Sequence, residues 1–199
     1  MKKVILICMV MLPMMAFSQA KKTVVRKPAP KTTTKKVVTK ATPSFTTPSF
    51  KFDSYGGLAT DDGKEYVVYE LQGWKQSELY NKMVLGISNL FTYPEKVMSK
   101  VDNELITVNG FESSAFTWGK NDHAVSYYYT LKFQFKDGKI RVDPIIRGYD
   151  HYSKGCTPVE GWMRTQGNYQ EVKPKFEKAI NNLIYTFLQK SFDTKNDDW

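Results

Sequence analysis

Twelve residues in the middle of the chain constrain its fold more than any others. From Val125 to Lys136, the apolar Val125, Tyr127, Tyr129, Leu131, Phe133 and Phe135 alternate with Ser126, Tyr128, Thr130, Lys132, Gln134 and Lys136. Alternation of period two over that length describes a β-strand with one buried face. Asp137-Gly138 follows, the dipeptide of a two-residue type I′ hairpin turn. The turn predicts a register in which Lys136 faces Lys139, Phe135 faces Ile140, Phe133 faces Val142 and Lys132 faces Asp143. A slip of one residue would turn the aromatic rings into water, so the register is strongly specified. Pro144 cannot donate a ladder hydrogen bond, and the return strand is predicted to be an edge or to bend there. Tyr127 and Tyr129 read as core, and Tyr128 faces the other way.

Around this hairpin the remaining pattern falls into place. Tyr66–Leu71 is a β-rich run with Val67, Tyr69 and Leu71 on one face. After Gly73-Trp74, Ser77 is the predicted helix N-cap, with Glu78 suited to the first turn. Leu79, Met83, Val84, Ile87, Leu90 and Phe91 recur at helical spacing. The helix should stop near Tyr93, because the residue before Pro94 avoids helical backbone. Strands are expected over Glu95–Val101, Glu104–Asn109 and, more weakly, Ser114–Trp118. Residues 147–172 read as a long irregular segment. Pro174 suits a first helical position, and Phe176, Ala179, Ile180, Leu183, Ile184, Phe187 and Leu188 trace one apolar face after it. The order is β-α-β-β-β-β-α. It predicts an α+β domain: an antiparallel sheet of about five strands with both amphipathic helices on one face.

The Tyr66–Leu71 strand, the helix start Ser77–Asn81 and the aromatic strand ending in Asp137-Gly138-Lys139 resemble a known family. It is the secreted domain-of-unknown-function family, found mainly in Bacteroidota, described as having a TATA-binding-protein-like fold. The resemblance covers residues 60–150. It implies a curved antiparallel sheet backed by helices. It implies no activity, and the family offers no catalytic residues to carry over. Fold likeness to a DNA-binding protein does not transfer function.

The formal charge of +9 has to be divided before it means anything. Residues 21–50 hold eight basic groups and no acid, whereas residues 52–199 hold 18 basic and all 20 acidic groups. The basicity belongs to a tail and is no evidence for a nucleic-acid-binding face. Residues 1–20 read as a secretory signal: Lys2-Lys3, an apolar stretch from Val4 to Phe17, then Ser18-Gln19-Ala20. That stretch falls short of the ~20 residues of a spanning helix. Its removal takes away Cys8 and leaves Cys156 as the one thiol. Residues 21–51, rich in Lys, Thr and Pro, with Thr-Pro-Ser-Phe at 42–45 and again at 47–50, are predicted to be a disordered linker. Its functional reading is a basic arm toward anionic surfaces, and its plain reading a solvated spacer; the two Ser-Phe pairs dock on the domain in a third. Residues 52–199 are the predicted single α+β domain, with its core over 64–192. The expected location is exported: periplasmic, outer-membrane-associated or secreted.

The sequence shows no phosphate-binding glycine loop, no Walker lysine and no nucleophile elbow. Both histidines follow an aspartate, Asp122-His123 and Asp150-His151, and neighbours on an extended chain point to opposite sides. A mixed site from Asp150, His151 and Cys156 is the enzymatic alternative, as a hydrolase or metal-dependent catalyst. Cys156 itself is expected to be a buried, inert thiol. No catalytic residue, cofactor or metal is assigned. The favoured surface is the 147–172 segment, because aromatic residues with Arg are common binding anchors and long loops are often functional. Its candidate binding residues are Arg147, Tyr149, His151, Trp162 and Arg164. The predicted function is an exported, non-catalytic binding module of the cell envelope, whose partner is an envelope protein, a peptide or a glycan and not nucleic acid. A structural envelope protein tethered by its basic linker is the remaining alternative.

Overall fold

The central hairpin forms in the register its turn dictates. Strands β6 (His123–Lys136) and β7 (Lys139–His151) pair with Lys136 opposite Lys139, Phe135 opposite Ile140, Phe133 opposite Val142 and Lys132 opposite Asp143. Gly138 takes φ +69°, which glycine adopts at no steric cost. The computed structural model describes residues 40, 42–53, 55–151, 155–159 and 166–193, without the side chains of 151 and 166–169. The predicted signal segment, residues 21–39 and 41 of the predicted linker, Trp162 and Arg164 lie outside the described residues.

The elements in chain order are β1 (Lys51–Phe52), β2 (Leu58–Ala59), β3 (Val67–Glu70), α1 (Gln76–Ser88), α2 (Pro94–Val97) and β4 (Met98–Val101). Then come β5 (Leu105–Trp118), β6, β7 and α3 (Gln166–Ser191). The main sheet has five antiparallel strands in the order β3-β7-β6-β5-β4. From β3 onward this is the predicted α+β order, with the one-turn helix α2 added. A two-stranded ribbon, β1-β2, precedes it.

Both long helices lie on the face that the aromatic residues of β6 present. Tyr80 of α1 meets Phe135 edge-on, with ring centroids 5.6 Å apart. Phe176 of α3 lies 5.0 Å from Tyr127, and Phe187 stacks on Phe133 at 6.1 Å. Tyr127, Leu131, Phe133, Ile140, Leu79, Met83, Phe176, Ile180 and Ile184 are fully buried between the layers. The helices touch where α1 carries Gly86: a Cβ there would stand 2.2 Å from the Cα of Ser191. No helix among the described residues is long and apolar enough to cross a membrane.

Several boundaries differ from those the sequence predicts. The linker does not run to residue 51. Phe45 and Phe50 are buried in the core with Phe52, and the amide of Asn181 holds the backbone N–H and C=O of Phe50 at 3.0 Å each. Burying a phenylalanine contributes roughly 1.5–3 kcal/mol, which outweighs the local Lys/Thr/Pro bias. Ser77 does not cap α1, which begins at Gln76. The Gln76 N–H donates to the Asp137 carboxylate at 2.8 Å, and Glu78 accepts the Lys75 N–H at 2.8 Å. The helix start is therefore set by a turn 61 residues away. The helix α1 stops at Ser88, earlier than the Tyr93 the sequence predicts, and Pro94 opens α2 instead of ending α1. The two short runs expected over 104–118 are one strand, β5, irregular between Glu112 and Phe116. There Ser114 has φ 51° and donates its N–H to the Ser126 hydroxyl at 3.0 Å. Pro174 lies inside α3, not at its start, because Val172 is buried one turn earlier and extends the apolar stripe.

Candidate functional site

The face of the main sheet away from the helices carries the polar half of the alternation, and no described helix covers it. Opposed residues form rows across the strands. Val68, Arg141, Gln134 and Leu105 make one row; Asp143, Lys132 and Thr107 the next; Ile145, Thr130 and Asn109 a third. At the first row the guanidinium of Arg141 lies 3.8 Å over the ring of Tyr66, while its Nε is 3.0 Å from each Asp143 oxygen. A groove of about 700 Å3 runs there, lined by Tyr66, Val68, Gln134 and Arg141 among others. Phe111 and Tyr128 close the face at the far end, ring to ring at 4.7 Å.

Between those ends sits a polar knot. Thr130 is 1% exposed, unusual for a residue on an open face. Its hydroxyl donates to Asn109 Oδ1 at 2.7 Å and accepts from Arg147 Nε at 2.6 Å. Arg147 Nη2 reaches the same Asn109 oxygen at 3.3 Å. The guanidinium thus lies over Thr130 and is held in one orientation. Beside it Phe111 is 45% and Ile145 43% exposed, and at the Arg141 end of the face Val68 is 41% exposed. Apolar residues on the water side of an alternating strand are the sequence signal for this surface, and Phe111 and Ile145 were legible as such.

Of the predicted site residues, Arg147 and Tyr149 have described side chains, and these two take opposite faces of the sheet. The expected irregular segment 147–172 begins as strand and ends as helix. A bulge between Tyr128 and Tyr129 leaves one extra residue in β7, so that Tyr128 pairs Gly148 and Tyr129 pairs Ile146. Such a bulge resets which face later residues take. Arg147 therefore stands on the open face, whereas Tyr149, opposite Tyr127, is buried with the core at 4% exposure. Burial raises the Tyr149 phenol above its usual pKa. His151 ends β7 opposite Val125, its side chain outside the described part. Trp162 and Arg164 are likewise outside it.

The enzymatic alternative gains nothing from the geometry. The Asp150 carboxylate accepts the Gly155 N–H at 3.1 Å. Cys156 is exposed, contrary to the buried thiol expected, with its sulfur 3.9 Å from the Arg147 carbonyl. Gly148 explains the position: a Cβ there would come within 2.5 Å of that sulfur. Among the described residues no three His, Cys, Asp or Glu side chains are grouped to hold a metal.

No family model matches the chain, and no curated protein matches it in sequence. Two solved structures are similar to it. One is a TBP-like protein from Parabacteroides distasonis ATCC 8503, 12% identical, with a TM-score of 0.50 over 63% of this chain and 90% of that one. The other is a DUF4468 family protein from Bacteroides ovatus ATCC 8483, 13% identical, with a TM-score of 0.49 over 64% of this chain and 84% of that one. At 12% identity the first likeness shows the fold alone. That fold is the TBP-like one the family resemblance implied, and its α+β order is the one the sequence pattern predicted.

Proposed function

We propose that the chain is an exported, non-catalytic binding module of the cell envelope and that its open sheet face engages a partner protein. The observation that carries this is the company Arg147 keeps. A guanidinium locked by Thr130 and Asn109 stands beside the exposed Phe111 and Ile145. Immobilised Arg and aromatic side chains are the usual anchors of protein interfaces, since little side-chain entropy remains to be lost on binding. The aliphatic share of the patch favours a protein over a glycan, because interface cores are apolar and poor in charge. Export rests on the cationic, apolar and small-residue succession of residues 1–20.

Photo-crosslinking in the producing cell tests both parts. A crosslinking residue in place of Phe111 or Ile145 should yield one discrete protein adduct in the envelope fraction. The same residue in place of Lys178, exposed on α3, should yield none. Equal adducts from all three positions, or none from the sheet face, defeat the reading. A smear that collapses on polysaccharide digestion makes the partner a glycan. Mass analysis of the envelope form should show a chain beginning after Ala20 or Ser18, and an uncut Met1 in the cytosol would refute export.

A further inference from the structure

On the helix side of the sheet, the turn after α1, the second half of β5, the start of β6 and the middle of α3 line an open-mouthed chamber of about 380 Å3. That is the lower end of the range for small-molecule sites. Strand β4 pairs only with residues 105–108 of β5, so the β5 edge beyond them is bare of any described strand. Leu90 and Phe111, both exposed, stand at the rim. Leu183 and Phe187 of α3 form an apolar wall.

The sheet side of the chamber is different. Glu112 pairs with Tyr127 across β5 and β6, and both line the chamber with Tyr129. Tyr127 is fully buried, and its hydroxyl has no hydrogen-bond partner among the described residues. Buried hydroxyls nearly always have one, so an orphan asks for an explanation. Glu112 is half-buried, and burial alone raises its carboxyl above the usual pKa. Its charge also bears on both tyrosines, whose phenols burial has already pushed far up. No residue lining the chamber is basic. An anionic ligand would meet repulsion there, and an apolar one would leave the carboxylate unmatched. A cation with an apolar body suits the lining: the Glu112 carboxylate takes its N–H donors, Asn182 and Thr186 stand exposed at the side, and the Phe187 side chain takes the body.

We propose that this chamber binds a small amphipathic amine, with its ammonium group on Glu112 and its apolar body against Leu183 and Phe187. The site lies on the helix side of the sheet and shares only Phe111, at its rim, with the open face.

Calorimetry on the mature chain tests this with three probes of one shape: phenethylamine, 2-phenylethanol and phenylacetate. The amine should bind about tenfold or more tighter than the alcohol, as a charge-assisted hydrogen bond allows. Phenylacetate should not bind measurably. Glu112→Gln should erase the preference for the amine while the variant stays folded by circular dichroism. Leu183→Trp, which fills the chamber, should remove binding, with Ala179→Val as a milder filling. Equal binding of alcohol and amine overturns the proposal. So does a preference that survives Glu112→Gln, binding that survives both fillings, or no amine binding at millimolar concentration.

Discussion

Replacement of Phe50 by Ala tests whether the segment before β1 belongs to the fold. Its composition calls it a spacer, and its burial calls it core. The Phe50 ring is fully buried, and the Asn181 amide holds its backbone on both sides at 3.0 Å. Truncating a phenylalanine so placed costs about 3–5 kcal/mol, transfer and cavity together. A domain of this size loses roughly 2–4 °C in Tm per kcal/mol, so a fall of roughly 6–20 °C is expected. Asn181→Ala strips two backbone partners at once and should cost about 1–3 kcal/mol. The double variant should cost less than the sum of the two, because the amide holds a backbone that the ring seats. Urea denaturation of the mature chain reads all three. Ser49→Ala, an exposed position in the same repeat, should stay within about 0.5 kcal/mol of the parent. A cost for Phe50→Ala below about 1 kcal/mol, with an unchanged urea slope, would refute the argument and return 42–50 to the linker. The result bears on every binding assay. A chain begun at residue 52 would lack Phe45 and Phe50, and a screen on it would probe a damaged core.

Glu112 gives a pH test with a definite sign. Burial raises its carboxyl above the usual 4.5 in the folded state, so the folded chain binds more protons than the unfolded one between those two values. Stability then declines as pH rises through that window, and the penalty is complete above the folded pKa. Glu112→Gln should thus be more stable than the parent at pH 7 and equal to it below pH 4.5. Denaturation curves at the two pH values decide, and a variant weaker at pH 7 would show that the carboxylate has a partner. Thr130→Val keeps the shape and removes both bonds of the buried hydroxyl, so it should cost about 1–2 kcal/mol in urea; an unchanged midpoint would mean that Arg147 is not held by it. Cys156 should react with a maleimide in the native mature chain and the Cys156→Ser variant should not; labelling only after unfolding would contradict its exposure.

What was legible in the sequence follows from how local the deciding physics is. The β6–β7 register was legible because period two and Asp137-Gly138 fix it within a few residues. The start of α1 was not, because its first N–H finds its acceptor in that turn, far along the chain. Tyr149 was misplaced for a related reason. One extra residue in β7 reverses the parity of everything after it, and nothing local announces the insertion. Phe45 and Phe50 left a trace, since a phenylalanine repeating every five residues is poor solvent-facing design, but the surrounding Lys, Thr and Pro masked it. Glu112 is the instructive case. Ile106, Val108, Gly110 and Glu112 occupy one parity of β5, and Ile106 and Val108 are fully buried. The rule that extends the strand makes Glu112 a carboxylate on the helix-facing side. A half-buried carboxylate without a partner weighs against folding. Another residue there would serve packing better, and so would Phe in place of the unpartnered Tyr127. Two costly groups from different strands, meeting in a chamber that no basic side chain lines, are where the fold departs from what stability favours. Such departures concentrate at functional sites. The open face can be read as a surface that any sheet leaves behind; the chamber cannot, because packing alone would have filled it with carbon.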